Sequence, residues 1–271
     1  MAINQLIKNS KLKEEFEKTF VMPKFISPEE IKVVLPLSEN YSLMGTAFDY
    51  LLRFYIARIN KIKDQEWISE KTLAMLKYQK NSRARVKEII SKFKIQYEEY
   101  LKNGIVDDSL LESIIMLAKI DGIFRSGGML PDSFETDEKD IEDLKNLASI
   151  IPIEKFSTKQ ICFLNPTFGN ASLMVGGGDA DLIIGESLID IKTTKDLKFT
   201  KDYFIQLVSY YLLNKIGGVS GYRSKVEINK LGIYFSRYGY LFEFNICDIV
   251  TSKKQLEKFI DLYIDVAQGF A

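Results

Sequence analysis

The chain has 271 residues, 46% of them apolar and 27% charged, which is enough for one large domain or a catalytic core with a helical elaboration and needs no disulfide staples. Lys plus Arg and Asp plus Glu both number 37, so the balance argues against histone-like polybasic binding while leaving room for a local basic groove. There is no histidine, and the only cysteines are Cys162 and Cys247; this excludes Ser-His-Asp triads, Cys-His dyads, His-ligated zinc or haem and four-cysteine clusters, and leaves acid–base work to Asp, Glu, Lys, Tyr or water and any metal to oxygen ligands such as suit Mg²⁺ or Mn²⁺.

Residues 3–19 alternate charged and apolar residues with no continuous apolar core, unlike a signal peptide. No apolar run approaches the roughly 18 residues of a membrane span, so no membrane partner is expected and the expected compartment is the cytoplasm. Ser27-Pro28-Glu29-Glu30 has the form of a helix start, with Ser as N-cap and Pro at the first helical position. A long apolar helix follows over 41–62, then a helical stretch over 68–102 closed by Asn103-Gly104. Asp107-Asp108-Ser109 opens a helix to about residue 121; residues 125–131 read as a loop and 137–150 as a shorter helix. Beyond this the pattern changes to strands over 159–165, 179–184 and 188–193, the last two joined by a turn at Gly185-Glu186-Ser187. A helix over 200–216, strands over 230–236 and 239–246, and a helix over 251–268 complete the order.

The chemistry concentrates between Gly176 and Lys195. Alternate residues of a strand share a face, so Asp190 and Lys192 point one way while Ile189 and Ile191 point into a packed layer. Asp179 and Asp181 share parity on the preceding strand. Charges rarely enter an apolar sheet without a partner or a task. The pattern acid-x-Lys alone carries little, since it occurs five times, at Glu30/Lys32, Asp137/Lys139, Asp143/Lys145, Asp190/Lys192 and Asp196/Lys198. Only Asp190/Lys192 lies within an apolar strand that follows another acid-bearing one. Gly176-Gly177-Gly178 is no phosphate-binding P-loop, because no Gly-Lys-Ser/Thr follows and the next element is a strand; the glycines suit a bend or a close backbone approach.

Asp181, eight intervening residues, then Asp190-Ile191-Lys192 resembles the metal-binding signature of the PD-(D/E)XK nuclease superfamily. Within it the RecB-like branch is the nearer likeness. Gly178-Asp179-Ala180-Asp181 is similar to its Gly-x-x-Asp, Asp190-Ile191-Lys192-Thr193 to its Asp-x-Lys-Thr, and Gln206-Leu207-Val208-Ser209-Tyr210 to its Gln-x-x-x-Tyr. The motifs occupy residues 178–210, and the order of elements extends the likeness to about 137–246. The resemblance implies an α/β fold with a restriction-endonuclease-like core, a mixed central sheet flanked by helices, over 131–271, and a helical N-terminal elaboration over 1–130 packed on it. It also implies a Mg²⁺- or Mn²⁺-dependent nuclease acting on DNA. Asp181, Asp190 and the Ile191 carbonyl would be metal ligands, and Lys192 would position or activate a water. Lys192 beside two carboxylates should keep its charge, which suits electrostatic stabilisation better than general-base work. Gln206 and Tyr210 lie about 40° apart on one helix; Gln206 is expected at the site, with Tyr210 against either DNA or the site wall.

The family's N-terminal helix often carries Gly-x-x-x-His. Here the corresponding stretch is Gly45-Thr46-Ala47-Phe48-Asp49. A carboxylate in so apolar a helix needs a partner, either the metal or Arg53 one turn on. Candidate phosphate contacts are Arg83, Arg85 and Lys87, from a run between Lys77 and Lys94 holding seven basic residues and one acid; a solvated helix face explains the same run. Lys195 and Lys198 after the catalytic strand, and Arg125 on a Ser/Gly-rich loop, are further candidates. RNA as substrate, a protein partner or homo-oligomer, and a non-catalytic nucleic-acid-binding scaffold on a decayed nuclease fold remain open as alternatives.

Overall fold

A computed structural model describes residues 9–62, 67–131 and 133–269. Residues 3–8 of the first amphipathic stretch lie outside the described part; the rest forms α1 (Ser10–Thr19), capped by the Asn9 side chain, which accepts from the amides of Lys11 and Leu12. Leu12 and Phe16, four apart, are its buried residues together with Thr19. The helix expected at Ser27 does not form. Pro36 would fall in its interior, and Ile31, Val33 and Val34 are β-branched. The Val34 amide instead donates to the Arg237 carbonyl at 2.8 Å.

The helix α2 (Tyr41–Asn60) matches the apolar stretch and ends on left-handed Lys61. The long helix expected over 68–102 is broken: α3 (Ile68–Met75) passes through a 3₁₀ turn (Leu76–Tyr78) and resumes as α4 (Lys80–Asn103). Gln79 is non-helical, at φ −103° and ψ 74°. The break turns the chain so that Leu76 and the α4 stripe of Val86, Ile90 and Phe93 reach one core. Gly104, at φ 72°, supplies the left-handed C-cap. Asp107 caps α5 (Asp108–Arg125) by accepting from the Leu110 amide. This helix runs a turn beyond its expected end, so Arg125 is a helical residue rather than part of the loop. The helix α6 (Glu138–Ser149) follows.

The second half comprises β1 (Cys162–Leu164), α7 (Gly169–Met174), β2 (Leu182–Ile184), β3 (Ser187–Lys192), α8 (Lys201–Gly217), β4 (Lys230–Phe235), β5 (Tyr240–Asn245), α9 (Ile246–Ile249) and α10 (Lys253–Gly269). The short helices α7 and α9 escape sequence reading because a helical period needs more than six residues to register. The five strands form one mixed sheet in the order β1-β2-β3-β4-β5. Pairing is antiparallel except between β3 and β4, which are parallel and joined through α8. The strands alternate between two cores. Ile183, Leu188, Leu231 and Ile233 pack with α1, α7, α8 and α10 on one face. Leu182, Ile184, Ile189 and Tyr234 pack with α2, α4, α5 and α6 on the other. The architecture is thus α/β, with helices on both faces of the sheet. Among the described residues no helix is long and apolar enough to cross a membrane.

Candidate active site

Strand parity sets the direction of the polar groups on β3. Leu188 enters the α8-side core and Ile189 the opposite one, so Asp190 and Lys192 emerge toward α8. Asp190 is 2% exposed, and its Oδ2 lies 2.7 Å from Lys192 Nζ. The contact is an ion pair without good hydrogen-bond alignment, since Asp190 Oδ2 has no aligned donor. Asp181 stands one residue before β2 and accepts the Ile191 amide on Oδ2 at 2.6 Å, which ties it to the middle strand. Thr200 caps α8, its side chain accepting from the Tyr203 amide. From this helix Gln206 Oε1 accepts from Lys192 Nζ at 3.0 Å, and Gln206 Nε2 donates to the Tyr210 hydroxyl at 2.9 Å. The amide orientation therefore makes use of both its ends. Tyr210 serves as site wall in this arrangement, holding Gln206 in place.

These groups open on a cleft of about 370 Å³. The helix α2 contributes Asp49 to it, the end of α5 contributes Arg125, and the segment before β2 contributes Asp179. Both partners offered to Asp49 by the sequence bear on its geometry. Arg53 takes Oδ2, with Nε at 3.1 Å and Nη2 at 2.9 Å. The other oxygen, Oδ1, is buried without a hydrogen-bond partner.

The electrostatics follow from burial. Asp181 is held well above the usual carboxylate range, first by burial and then by the charges of Asp190 and Asp49. Burial likewise raises Asp190, against the pull of Lys192. For Lys192 burial opposes the charge, but Asp190 and Asp181 outweigh it and the ammonium is stabilised. Burial first, and then the charges of Asp190 and Asp181, push the Tyr210 hydroxyl up.

Of the residues singled out in the sequence, Asp49, Asp181, Asp190, Ile191, Lys192, Gln206, Tyr210 and Arg125 all line this one cleft. The remaining basic candidates do not. Arg83 on α4 donates to the Leu73 carbonyl, Arg85 sits over the Phe134 ring at 5.6 Å, and Lys87 belongs to the same helix. Lys198 pairs with Asp196 at 3.2 Å, while Lys195 stacks over the Tyr41 ring at 4.1 Å. Asp179 lies outside the strands, in an isolated bridge with Thr167. Asn165 also lines the cleft, at φ 47°, and its amide donates to the Asp181 carbonyl. An Asn-Pro step after a strand was its only signal in the sequence. Among the described residues no three acidic, histidine or cysteine side chains draw together into a closed ion cage; Arg53, Lys192 and the Ile191 amide hold the acids separately.

In comparisons with known proteins, no family model matches the chain, and neither does any curated protein or solved structure.

Proposed function

We propose that this protein is a divalent-metal-dependent nuclease of the PD-(D/E)XK type, RecB-like, that hydrolyses DNA phosphodiester bonds. The observation that carries the reading is the meeting of Asp181, Asp190, Lys192 and Gln206 in one cleft, joined by Asp49 from a helix far away in sequence. The donor set suits a hard cation: buried Asp190 and half-buried Asp181, both with raised pKa, and the orphaned Oδ1 of Asp49 gain from a nearby positive charge. Asp181, Asp190 and the Ile191 carbonyl would hold Mg²⁺ or Mn²⁺, with Asp49 as a further oxygen ligand. Such an ion, when bound, supplies Lewis-acid polarisation of the phosphate and of a water. Lys192, charged and steered by Gln206, would orient the attacking water and offset the charge that develops on the phosphoryl oxygens. Tyr210 fixes the amide of Gln206 and so fixes Lys192.

The test is a matched digestion of linear duplex, closed circular and single-stranded DNA, with RNA alongside, in Mg²⁺ or Mn²⁺ and in EDTA. Wild type should cut DNA only with metal. Asp190→Asn and Lys192→Ala should each lose about 100-fold or more in rate, the scale on which removing one transition-state stabiliser acts. Unchanged activity in both variants would overturn the assignment. A second reading, a non-catalytic nucleic-acid-binding scaffold, draws on the engagement of Asp49 by Arg53 and of Lys192 by Asp190. It expects salt-sensitive DNA binding, no turnover and no heat on Mn²⁺ titration.

A further inference from the structure

We propose that Arg125 captures a phosphate of the nucleic-acid backbone at the mouth of the cleft, and that buried Asp121 is the residue that positions it. The inference rests on the nuclease reading for the nature of the chain captured, and the geometry of the pair is independent of it. Four carboxylates line the cleft: Asp49, Asp179, Asp181 and Asp190. A phosphodiester entering it meets repulsion unless a cation receives it. Lys192 is committed to Asp190 and Gln206. Arg125 is the other basic residue in the lining, and its side chain is 59% exposed.

The way Arg125 is held distinguishes it from an ordinary surface arginine. Its Nε donates to Asp121 Oδ1 at 2.6 Å. Asp121 is 2% exposed, and its other oxygen accepts from the Tyr50 hydroxyl at 3.3 Å. A carboxylate held on both oxygens gives the guanidinium a fixed anchor at Nε. Only Nε is used, and among the described residues the two terminal nitrogens make no hydrogen bond or ion pair. Those nitrogens form the edge that grips a phosphate in two-point fashion. The turn that follows α5 is open as well: Gly127 and Gly128, at φ 75° and 101°, have nothing within 4 Å of where a Cβ would stand. A helix C-terminus alone would also welcome Arg125, but that role needs neither a buried brace nor a place in the cleft wall.

The experiment is fluorescence anisotropy of a short fluorescein-labelled DNA strand, titrated in EDTA over a range of NaCl, with digestion run on the same preparations. Loss of one phosphate contact lowers the slope of log K against log salt by about 0.7 to 1. Arg125→Ala should show that loss and a raised KM; Arg125→Lys should keep the slope. Asp121→Asn should keep the slope too, since the charge stays, but weaken binding and raise KM, with circular dichroism reporting its fold. A wild-type slope in Arg125→Ala overturns the proposal even if the enzyme cleaves DNA. A lowered slope in a wild-type background that never cleaves supports the capture role while removing the nuclease reading. Absence of DNA binding by wild type removes the proposal outright.

Discussion

Asp181 carries the clearest conflict between stability and use. Its side chain is half-buried and feels the charges of Asp190 and Asp49, and its Oδ2 must still accept the Ile191 amide. Its pKa rises from an ordinary 3.8, for burial first and for the charges of Asp190 and Asp49 second. The consequence for stability has a definite sign. Folded Asp181 holds its proton where the unfolded chain has lost it, so the stabilisation is complete below about pH 3.8 and is lost as pH rises through the higher folded value. The metal-free protein should therefore melt at a lower temperature at neutral pH than near pH 5, within the window where it remains folded. Asp181→Asn keeps an acceptor for the Ile191 amide and removes the charge. In EDTA it should raise Tm at pH 7 by about 2 to 4 °C for each kcal/mol relieved and flatten the pH profile; with Mg²⁺ supplied, the proposed cleavage should be lost. Thermal melts from pH 4.5 to 8 check this, and a lower Tm at pH 7 in the variant would show that the carboxylate is not under strain. Asp190 and Lys192 were legible from strand parity, whereas Asp181 and Gln206 stood out through the resemblance of their motifs. The brace of Arg125 was not: Asp121 stands only four residues before it, but the helix was expected to end at about residue 121, and the Tyr50 that backs Asp121 lies 71 positions away.

Elements were legible where a period ran long and a cap closed it, as in α2, in α8 with Thr200, and at Gly104. They failed where tertiary demands overrode the period. The break at Gln79 serves a core that residues 68–102 alone do not display, and Pro36 outweighed a well-formed start at Ser27. Gly217, the last residue of α8, shows how to decide such a conflict by magnitude. In a helix, Gly→Ala ordinarily gains about 1 kcal/mol. A Cβ here would stand 2.1 Å from the Phe168 carbonyl oxygen and 2.9 Å from the Ala171 Cβ. Backbone cannot yield that distance without moving α7 from α8, and overpacking of this kind costs about 1 to 3 kcal/mol. Gly217→Ala is thus expected to be net destabilising by up to roughly 2 kcal/mol on combining the two effects. Urea denaturation gives the value; a gain in stability would mean that α7 is free to shift.

At the scale of the molecule, the cleft needs the helical layer seated on the sheet, because Asp49 comes from α2 while Asp190 and Lys192 come from β3. One buried pair links the parts. Asp143 on α6 takes both terminal nitrogens of Arg237, each at 2.8 Å, with the two side chains 0% and 2% exposed. Arg237 lies in the turn between β4 and β5, and its carbonyl accepts the Val34 amide from the segment before α2. Nothing local reveals this contact: Lys145, two positions on, faces another way on the helix and reaches Asp108 at 2.9 Å. Buried pairs of this kind add little net stability, because desolvation offsets attraction, yet breaking one strands a charge. Asp143→Ala should therefore cost about 3 to 5 kcal/mol in urea unfolding. Arg237→Met combined with Asp143→Leu should recover most of that loss, and the Nε of Arg237, buried without a hydrogen-bond partner, disappears with the charge. A single variant within about 1 kcal/mol of wild type would place the pair in solvent, since exposed pairs contribute no more than that. Recovery of stability in the double variant would mean that the pair seats the helical layer by shape and that charge is dispensable there.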